Sequence, residues 1–346
     1  TTAHMTKLRT RLPFVASLAL GMMTGFNTSH GQEPDKKMAG PAVVTSDAVT
    51  TSGKPDFSYY QKSGFGMFIH WGPASRIGGR WNGTERNKDL WGEWVMRRAK
   101  ISPADYEKLS QDWKPSSFDA TRWANLAKEA GMGWMVYVAK HHDGYAMFRT
   151  KASPWNICDH GGWDRDPLME LSKAAKTAGL RFGAYYSHGA DWYQQNFTEP
   201  RKYNSIKSFD QYFDEVCAVQ VRELLTNYGD MGVLWFDLGI GQPYAERLRK
   251  MIREISPNTL ISGRIGGGQG DFTCLADCAI PLTPTPPPWE TNMTSNYHWG
   301  YVPQDIYHKS AREIVVMLAE VRSKGGWLLL NVGPDAEGRI PPRETA

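Results

Sequence analysis

The stretch GVLWFDL, residues 232–238, runs four apolar or aromatic residues directly into a carboxylate, Asp237. A run that is apolar on both faces is typical of a strand inside a parallel sheet. Similar runs occupy residues 65–72, 133–139, 181–187, 259–264 and 326–333, and weaker candidates lie near 278–281 and 287–292. Helical patterns separate these runs, and several of them end in glycine, a common helix stop. About eight strand–helix units over ~270 residues predict an α/β fold of the (β/α)8 TIM-barrel type.

Nearly every strand candidate ends in a side chain that can take part in chemistry. In chain order these residues are His70 and Trp71, then His141, His142 and Asp143, then Tyr185 and Tyr186, then Asp237, Arg264 and Glu290. In a barrel of parallel strands, the carboxyl ends of all strands meet on one face, where active sites lie. The pattern therefore predicts one active face that draws residues from six strands.

Two carboxylates are the candidate catalytic residues. Asp237 cannot remain unpaired in a dry core, so it must meet solvent, a cation or a ligand. It could instead cap the next helix, but the next helical pattern begins only near Tyr244. Glu290 is expected in a proline-rich loop beside Trp289, where a glutamate alone is usually solvated. Together, two carboxylates in unequal environments are the minimum requirement for glycoside hydrolysis.

Arg264 and the pair Glu93–Trp94 are candidate binding residues, each with a simpler alternative. Arg264 could steady a carboxylate or contact substrate, or it could form a surface salt bridge. Glu93 and Trp94 suit the binding of a hydroxyl group and stacking on a sugar ring. They could equally be a solvated glutamate beside a tryptophan at the rim.

The histidines His70, His141 and His142 raise the question of a metal site, since three histidines can hold a catalytic zinc ion. Their spacing matches no common ligand pattern, and adjacent strand residues point to opposite sides of a sheet. We therefore interpret them as imidazoles that hydrogen-bond sugar hydroxyls. No metal and no cofactor is predicted.

Composition limits the classes of partner. The chain has 40 Lys and Arg against 36 Asp and Glu, a net charge of +4, without a dense basic run. This balance does not favour a nucleic acid or a membrane surface as partner. Of the four cysteines, only Cys274 and Cys278 are close in sequence, so a zinc ribbon is not expected. Free buried thiols or a disulfide both remain open.

The N-terminus has the pattern of a processed leader. TTAH before Met5 resembles a scar left by cloning, and a short basic segment and an apolar stretch of signal-peptide length follow. We predict a scar and signal peptide over residues 1–32, a polar linker over 33–55 and a catalytic barrel domain over 56–346. The mature protein is then expected to be exported to the periplasm or the medium, without stable membrane insertion.

Seven blocks of the chain resemble, in the same order, those of the α-L-fucosidases of glycoside hydrolase family 29. The resemblance spans residues 56–342 and rests on FGMFIHWGPAS, GEWVM followed by ISPADYEKLSQDWKPSSFDATRWANLAKEAG, AKHHDGYAMF, RDPLMELSKAAKTAGLRFGAYYS, LWFDLG, WETNMTSNYHWGY and GGWLLLNVGPDAEGRIPP. It implies an exo-acting retaining α-L-fucosidase whose substrate is a fucosylated glycan.

The resemblance also implies roles for individual residues. Asp237 takes the position of the nucleophile and Glu290 that of the acid/base. The implied fucose-binding residues are His70, Glu93, Trp94, His141, His142, Tyr186 and Arg264, with Tyr185 as the alternative to Tyr186 and Trp299 in the same motif region.

Two departures from the family pattern keep alternatives open. Family members often have glycine directly after the nucleophile, where this chain has Leu238. The sequence also stops at Ala346, where family members usually continue into a C-terminal β-sandwich, so we expect either a barrel without that module or a fragment of a longer chain. The alternatives are a glycosidase or carbohydrate-binding relative for another L-galacto-configured sugar, and a metal-dependent hydrolase built on the three histidines.

Overall fold

The computed structural model describes residues 55–81, 92–194 and 208–345 of the 346-residue chain. The predicted scar and leader, residues 1–32, lie outside the described residues, as does the predicted linker apart from Pro55. The domain boundaries inferred from the sequence therefore stay predictions.

Eight parallel strands form a single sheet in the order β5-β4-β3-β2-β1-β8-β7-β6. Their bounds are β1 Phe65–Ile69, β2 Trp134–Lys140, β3 Arg181–Ser187, β4 Met231–Asp237, β5 Leu260–Ile261, β6 Thr273–Cys274, β7 Trp289–Thr294 and β8 Trp327–Val332. The two end strands are linked by a parallel bridge between Ser262 and Phe272. The Asp271 backbone N–H also donates to the Ile261 carbonyl at 2.7 Å. The predicted (β/α)8 TIM-like fold is confirmed.

Helices connect the strands along the outside of this sheet. Their bounds are α1 Ser58–Ser63, α2 Ala74–Ile77, α3 Val95–Arg98, α4 Pro103–Ser110, α5 Ala120–Glu129, α6 Pro167–Ala178, α7 Phe209–Tyr212, α8 Ala218–Asn227, α9 Tyr244–Ile255 and α10 Ala311–Ser323. A π-helical turn, Phe213–Cys217, joins α7 to α8, and 3-10 turns occupy Gly92–Trp94, Gly263–Ile265 and Pro342–Glu344. Side-chain N-caps start α4, α5, α6, α7 and α10. None of the described helices is long and apolar enough to cross a membrane.

Alternation along the strands creates two cores. One is the interior of the barrel, which contains Phe68, Val136, Tyr185, Trp235 and Leu329. The other lies between the strands and the helices and receives the alternate strand residues, including Met67, Met135, Ala184, Leu234 and Leu330. Because side chains of parallel strands point inward at every second residue, depth inside the barrel can be read from strand register.

Of the two weaker strand predictions, the one near residues 287–292 is confirmed by β7, Trp289–Thr294. The prediction near residues 278–281 is wrong, because the sixth strand is Thr273–Cys274 and a turn follows it. In that turn Cys278 has a φ of 55°, which is left-handed, and the Ala279 N–H donates to the Ala276 carbonyl. The predicted loop location of Glu290 is also wrong, since Glu290 is the second residue of β7.

Candidate active site

Asp237 lies at the last position of β4, at the mouth of the barrel, with its side chain 16% exposed. Its Oδ1 accepts hydrogen bonds from the Leu238 backbone N–H at 2.9 Å and from Arg264 Nη1 at 3.1 Å. Its Oδ2 accepts from the Tyr185 hydroxyl at 2.9 Å. Both oxygens are therefore held in a fixed orientation by three different elements of the fold.

These contacts keep Asp237 ionised. Burial alone would raise its pKa, but Arg264, His141, the Tyr185 hydroxyl and the Leu238 N–H together lower the pKa below its ordinary value. A carboxylate that is charged, partly accessible and rigidly held is suited to act as a nucleophile.

His70 and His142 are oriented by neighbouring polar groups, which assigns their tautomers. His70 Nδ1 lies 2.6 Å from Asn331 Oδ1, so Nδ1 donates its proton there. His142 Nδ1 lies 2.7 Å from the Ser187 hydroxyl, which itself donates to the Ala190 carbonyl. In the neutral rings Nε2 is then an acceptor, and His142 Nε2 lies 3.6 Å from Asp237 Oδ2, too far for a direct hydrogen bond.

Burial keeps the imidazoles neutral. It lowers the pKa of His70 to about 4 and lowers those of His141 and His142 well below their ordinary value. The three rings pack edge to face or tilted on one another, with centroids 5.6 Å apart for His70 and His141 and 4.1 Å for His141 and His142. At neutral pH the mouth thus presents polar but uncharged imidazole nitrogen atoms beside the Asp237 carboxylate.

Among the residues that line a small cavity beside His70, two buried polar atoms have no hydrogen-bond partner in the described part of the chain. They are His141 Nδ1 and Glu93 Oε1. The second oxygen of Glu93 accepts from the Gly300 backbone N–H at 2.8 Å, and burial raises the pKa of this carboxyl. His141 and Glu93 line one small cavity with His70. Since buried polar atoms nearly always have partners, these two are suited to bind a polar ligand.

Aromatic rings form the walls around this group. Trp94 packs on His142 at 5.2 Å and on Trp192 at 5.3 Å between ring centroids. Trp299 packs on His70 at 5.2 Å and on Phe68 at 6.1 Å. Rings of this kind suit the apolar faces of a sugar. The structure thus brings Trp94 and Trp299 to the mouth, as predicted, and adds Trp192, which the sequence reasoning missed.

The structure corrects the choice between two adjacent tyrosines. Tyr185 lies in the barrel interior, where its hydroxyl binds Asp237 and its ring stacks on His141 at 5.4 Å. Tyr186 points to the outer layer, where its hydroxyl donates to Gln220 Oε1 at 2.6 Å. Strand alternation explains the difference, and the sequence alone could not fix which of the two residues faces inward.

Glu290 is far from the position that an acid/base requires. Its side chain is buried in the barrel interior, and both carboxylate oxygens accept indole N–H groups, from Trp235 at 2.6 Å and Trp327 at 2.9 Å. Asn292, two residues along β7, accepts a long hydrogen bond of 3.4 Å from Arg264 at the mouth. Two strand residues span about 6.6 Å, so Glu290 lies one layer deeper than the mouth. This geometry argues against the predicted acid/base role.

Asp277 is a second carboxylate at the mouth that the sequence reasoning missed. It forms an ion pair with Arg264, the same guanidinium that holds Asp237, and its side chain is 48% exposed. Asn292 Nδ2 also donates to Asp277 Oδ1 at 3.0 Å. The sequence LADC at 275–278 gives no periodic signal, so only the three-dimensional structure connects Asp277 to the site.

Asp143, the third polar residue of the AKHHDGYAMF stretch, supports the loop. It accepts from the Tyr106 hydroxyl at 2.9 Å and from the Tyr145 N–H at 3.1 Å. Burial raises its pKa to about 6. These contacts hold the loop that follows β2. The described residues contain no group of three or more His, Cys, Asp or Glu side chains that could hold a metal ion.

The site can be compared with known proteins. A family model described as alpha-L-fucosidase matches residues 38–346. The plasma alpha-L-fucosidase of Homo sapiens is 29% identical over 314 residues, which are 82% of this chain and 64% of the human protein. The alpha-L-fucosidase of Dictyostelium discoideum is 28% identical over 317 residues, 84% of this chain and 68% of that protein. The chain thus spans about two thirds of the length of these curated relatives.

Solved structures show the same similarity. The alpha-L-fucosidase of Vibrio sp. strain EJY3 superposes with a TM-score of 0.78 at 34% identity, covering 85% of this chain and 54% of that one. The alpha-L-fucosidase AlfC of Lactobacillus casei, in complex with its α-L-fucose product, gives a TM-score of 0.75 at 32% identity, covering 83% and 94%. The motifs, the barrel and these matches agree: this chain belongs to the alpha-L-fucosidase family, glycoside hydrolase family 29.

Proposed function

We propose that this protein is an exo-acting, retaining α-L-fucosidase that releases L-fucose from fucosylated oligosaccharides or glycoconjugates. The observation that carries the proposal is Asp237, an ionised carboxylate at a strand end, surrounded by neutral imidazoles and aromatic walls. Such a mouth binds a neutral, partly apolar sugar and offers one nucleophile to its anomeric carbon.

The proposed reaction has two displacements. Asp237 attacks the anomeric carbon while an acid donates a proton to the departing glycosidic oxygen, which leaves as an alcohol. The fucosyl ester of Asp237 is then hydrolysed by a water molecule, from which the same residue, now a base, removes a proton. Two inversions restore the starting configuration, so the first product is α-L-fucose.

Asp277 is the best candidate for the acid and base. It is a solvent-accessible carboxylate at the mouth, and it shares Arg264 with Asp237. Glu290 cannot reach a leaving group without breaking two indole hydrogen bonds and leaving the barrel interior. A retaining mechanism requires the two carboxyl groups to lie about 5–5.5 Å apart when substrate is bound. We expect this separation between Asp237 and Asp277 in a substrate complex.

The remaining residues at the mouth would recognise the sugar. His142 Nε2 and Asp237 Oδ2 are both acceptors and lie 3.6 Å apart, so a sugar hydroxyl placed beside the two atoms can donate to either of them. His70, His141 and Glu93 would bind other hydroxyl groups, with Trp94 and Trp299 against the apolar faces of the ring. Among the relatives, AlfC has been crystallised as a variant with 4-nitrophenyl α-L-fucopyranoside and with Fucα(1,6)GlcNAc. These complexes support a fucoside as the substrate class here.

The test is a product assay with the full chain. We expect hydrolysis of 4-nitrophenyl α-L-fucoside and of some members of a panel of α-1,2-, 1,3-, 1,4- and 1,6-linked fucosides. The matched control is 4-nitrophenyl α-L-galactoside, which differs by a hydroxyl group at C6. Proton NMR in D2O should show α-L-fucose as the first anomer formed. Formation of the β anomer first would contradict the double displacement, and equal or faster cleavage of the galactoside would contradict the specificity.

We also propose export of the mature protein, on the basis of the basic and apolar segments in residues 5–32. Expression of the gene in a Gram-negative host followed by fractionation tests the proposal. An N-terminus beyond residue 26 in the periplasmic or extracellular fraction is expected. Retention of Met5 on protein that stays in the cytoplasm would contradict it.

A further inference from the structure

A fully buried ion pair lies directly behind the two adjacent histidines. Lys140 is the last residue of β2, and its Nζ lies 2.8 Å from Asp191 Oδ2, with both side chains at most 1% exposed. The ammonium group also donates to the Tyr212 hydroxyl at 2.9 Å and lies 4.7 Å from the centre of the Tyr186 ring. A buried ion pair is weak evidence for stability, because desolvation of both charges cancels much of their attraction. A role in function therefore needs to be considered.

Lys140 sits at an irregularity in its strand. The register of β2 on β3 shifts between Val138 and Lys140, as in a β-bulge. Val138 belongs to the barrel interior, whereas Lys140 contacts Tyr186 and Tyr212 of the outer layer. The bulge turns Lys140 outward, and both following histidines then reach the mouth. This resolves how adjacent residues 141 and 142 can serve one site.

Asp191 belongs to the loop after β3, and the next residue forms part of the mouth. The Trp192 backbone N–H donates to the His142 carbonyl at 2.7 Å. The Trp192 ring packs on His142 and on Trp94 at 5.6 and 5.3 Å. The ion pair therefore joins the two backbone segments on either side of the contact between His142 and Trp192.

The side chain of Asp191 is tightly packed by the neighbouring backbone. Asp191 Oδ1 accepts from the Gln194 N–H at 2.8 Å. A Cβ atom at Gly144 would lie 2.2 Å from the same Oδ1, and Gly144 has a φ of 86°. The loop after His142 and the loop after β3 are thus packed against each other around this carboxylate, so a change in the pair must displace one of them.

We propose that Lys140 and Asp191 are a positioning pair that fixes Trp192 against His142 and so sets the width of the sugar pocket on the side of Trp94. Neither residue touches the sugar. The identity of the sugar rests on the proposed function, whereas the positioning of Trp192 does not.

A double-mutant cycle separates positioning from mere charge balance. Lys140→Met or Asp191→Leu alone leaves one buried charge unpaired and should lower Tm by about 10 °C. The double variant K140M/D191L removes both charges and should recover most of that Tm. We expect its kcat/KM on 4-nitrophenyl α-L-fucoside to stay at least tenfold below wild type, with KM changing more than kcat. Recovery of both Tm and kcat/KM would overturn the proposal.

Further measurements test the proposal even if the double variant does not fold or the protein cleaves no fucoside. If the double variant does not fold, K140R keeps the charge but changes its reach, and a folded K140R with wild-type kcat/KM would overturn the proposal. The control R165M/E170L removes an ion pair at the start of α6 and should leave kcat/KM unchanged. If wild type cleaves no fucoside, the proposed function fails. Crystal structures of wild type and K140M/D191L then decide positioning: a displaced Trp192 ring supports it, and an unmoved ring overturns it.

Discussion

Asp237 and Glu290 are two carboxylates inside one barrel, on strands separated by several positions in the sheet and by one layer in depth. Asp237, at the mouth, receives hydrogen bonds from a guanidinium, a hydroxyl and a backbone N–H. Glu290, in the interior, receives them only from two indoles among its described neighbours. The pKa of Asp237 is lowered, since these contacts outweigh burial, whereas burial raises that of Glu290 to about 7.

The difference shows that depth and access to a cation decide the role of a carboxylate in this barrel. Arg264 reaches Asp237 and Asp277 at the mouth, and both can meet substrate. Glu290 instead holds Trp235, whose ring stacks on Tyr185 at 5.5 Å and lies 4.9 Å from the Arg264 guanidinium. The interior carboxylate therefore supports the residues that hold the mouth carboxylate. Substitutions at the mouth should therefore affect catalysis more than substitutions in the interior.

Asp237→Ala should lower kcat by about 10³-fold or more, since it removes the nucleophile. Hydrolysis of 4-nitrophenyl α-L-fucoside measures the loss. Azide should restore part of the activity and yield β-L-fucosyl azide, because it attacks the anomeric carbon in place of the carboxylate. Asp230→Asn is the control, since Asp230 precedes the same strand and pairs with Arg181 at the surface. Near-wild-type activity of D237A would contradict the assignment.

Asp277→Asn should lower kcat by about 10²–10⁴-fold on substrates with poor leaving groups, the usual range for loss of an acid/base. Oligosaccharides should suffer most, because 4-nitrophenolate leaves with little help from an acid. Glu290→Gln is the matched comparison from the interior and should lose less than about tenfold on either substrate. The reverse order, with E290Q showing the strong dependence on leaving group, would return the acid/base role to Glu290.

Glu290 should also make stability depend on pH. Its pKa is about 7 in the folded state against an ordinary 4.5, so between these values the folded state binds more protons than the unfolded state. Stability from this group is then greatest at low pH and falls as pH rises toward 7, by roughly 3 kcal/mol at most.

Thermal unfolding of wild type and E290Q between pH 5 and pH 8 measures this effect. The substitution Glu290→Gln should lower the stability of the folded protein at every pH, because the side-chain NH2 group then faces an indole N–H, which is also a donor. The glutamine does not titrate, so its own contribution to stability does not change with pH. The difference in Tm between wild type and E290Q should therefore narrow as pH rises. Glu129→Gln, at the end of α5 on the surface, is the control. Parallel pH profiles for wild type and E290Q would contradict the raised pKa.

The sequence predicted the interior better than the mouth. Long apolar runs located six strands, because strands buried on both faces leave a continuous signal. The sixth strand has only two residues, Thr273–Cys274, and such a short element has no periodicity. The prolines before Trp289 suggested a loop around Glu290, although β7 begins directly after them.

At the mouth, strand ends indicated His70, His141, His142, Asp237 and Arg264 correctly as neighbours. The sequence did not show which strand residues face the barrel interior. The register shift near Lys140 and the inward orientation of Tyr185 both depend on pairing between strands. Asp277 and Trp192 lie in loops, and no local pattern shows that Asp277 meets Arg264 and Asn292 or that Trp192 meets His142. Tertiary contacts decide these cases, and a single sequence carries no record of them.

Leu238 offers the smallest and most specific test of how the mouth differs from the interior. It follows Asp237 with a φ of 56°, a left-handed conformation that costs a residue other than glycine about 1–2 kcal/mol. A glycine at this position would avoid that cost, but its greater conformational freedom in the unfolded state would offset about 0.5–1 kcal/mol of the gain in stability. Leu238→Gly should therefore raise stability by up to about 1 kcal/mol, or about 2–4 °C in Tm.

Activity of L238G should stay within about twofold of wild type, because the backbone N–H at this position still donates to Asp237 Oδ1. Leu238→Ala is the matched control, since it shortens the side chain but keeps the strained φ. If L238G is no more stable than L238A, the backbone at the nucleophile is not strained. If L238G is more stable than L238A but loses activity, strain beside Asp237 contributes to catalysis, as strained backbone does at many functional sites. The comparison of L238G with L238A therefore shows whether the backbone beside Asp237 is strained. Neither substitution changes the interior layer around Glu290.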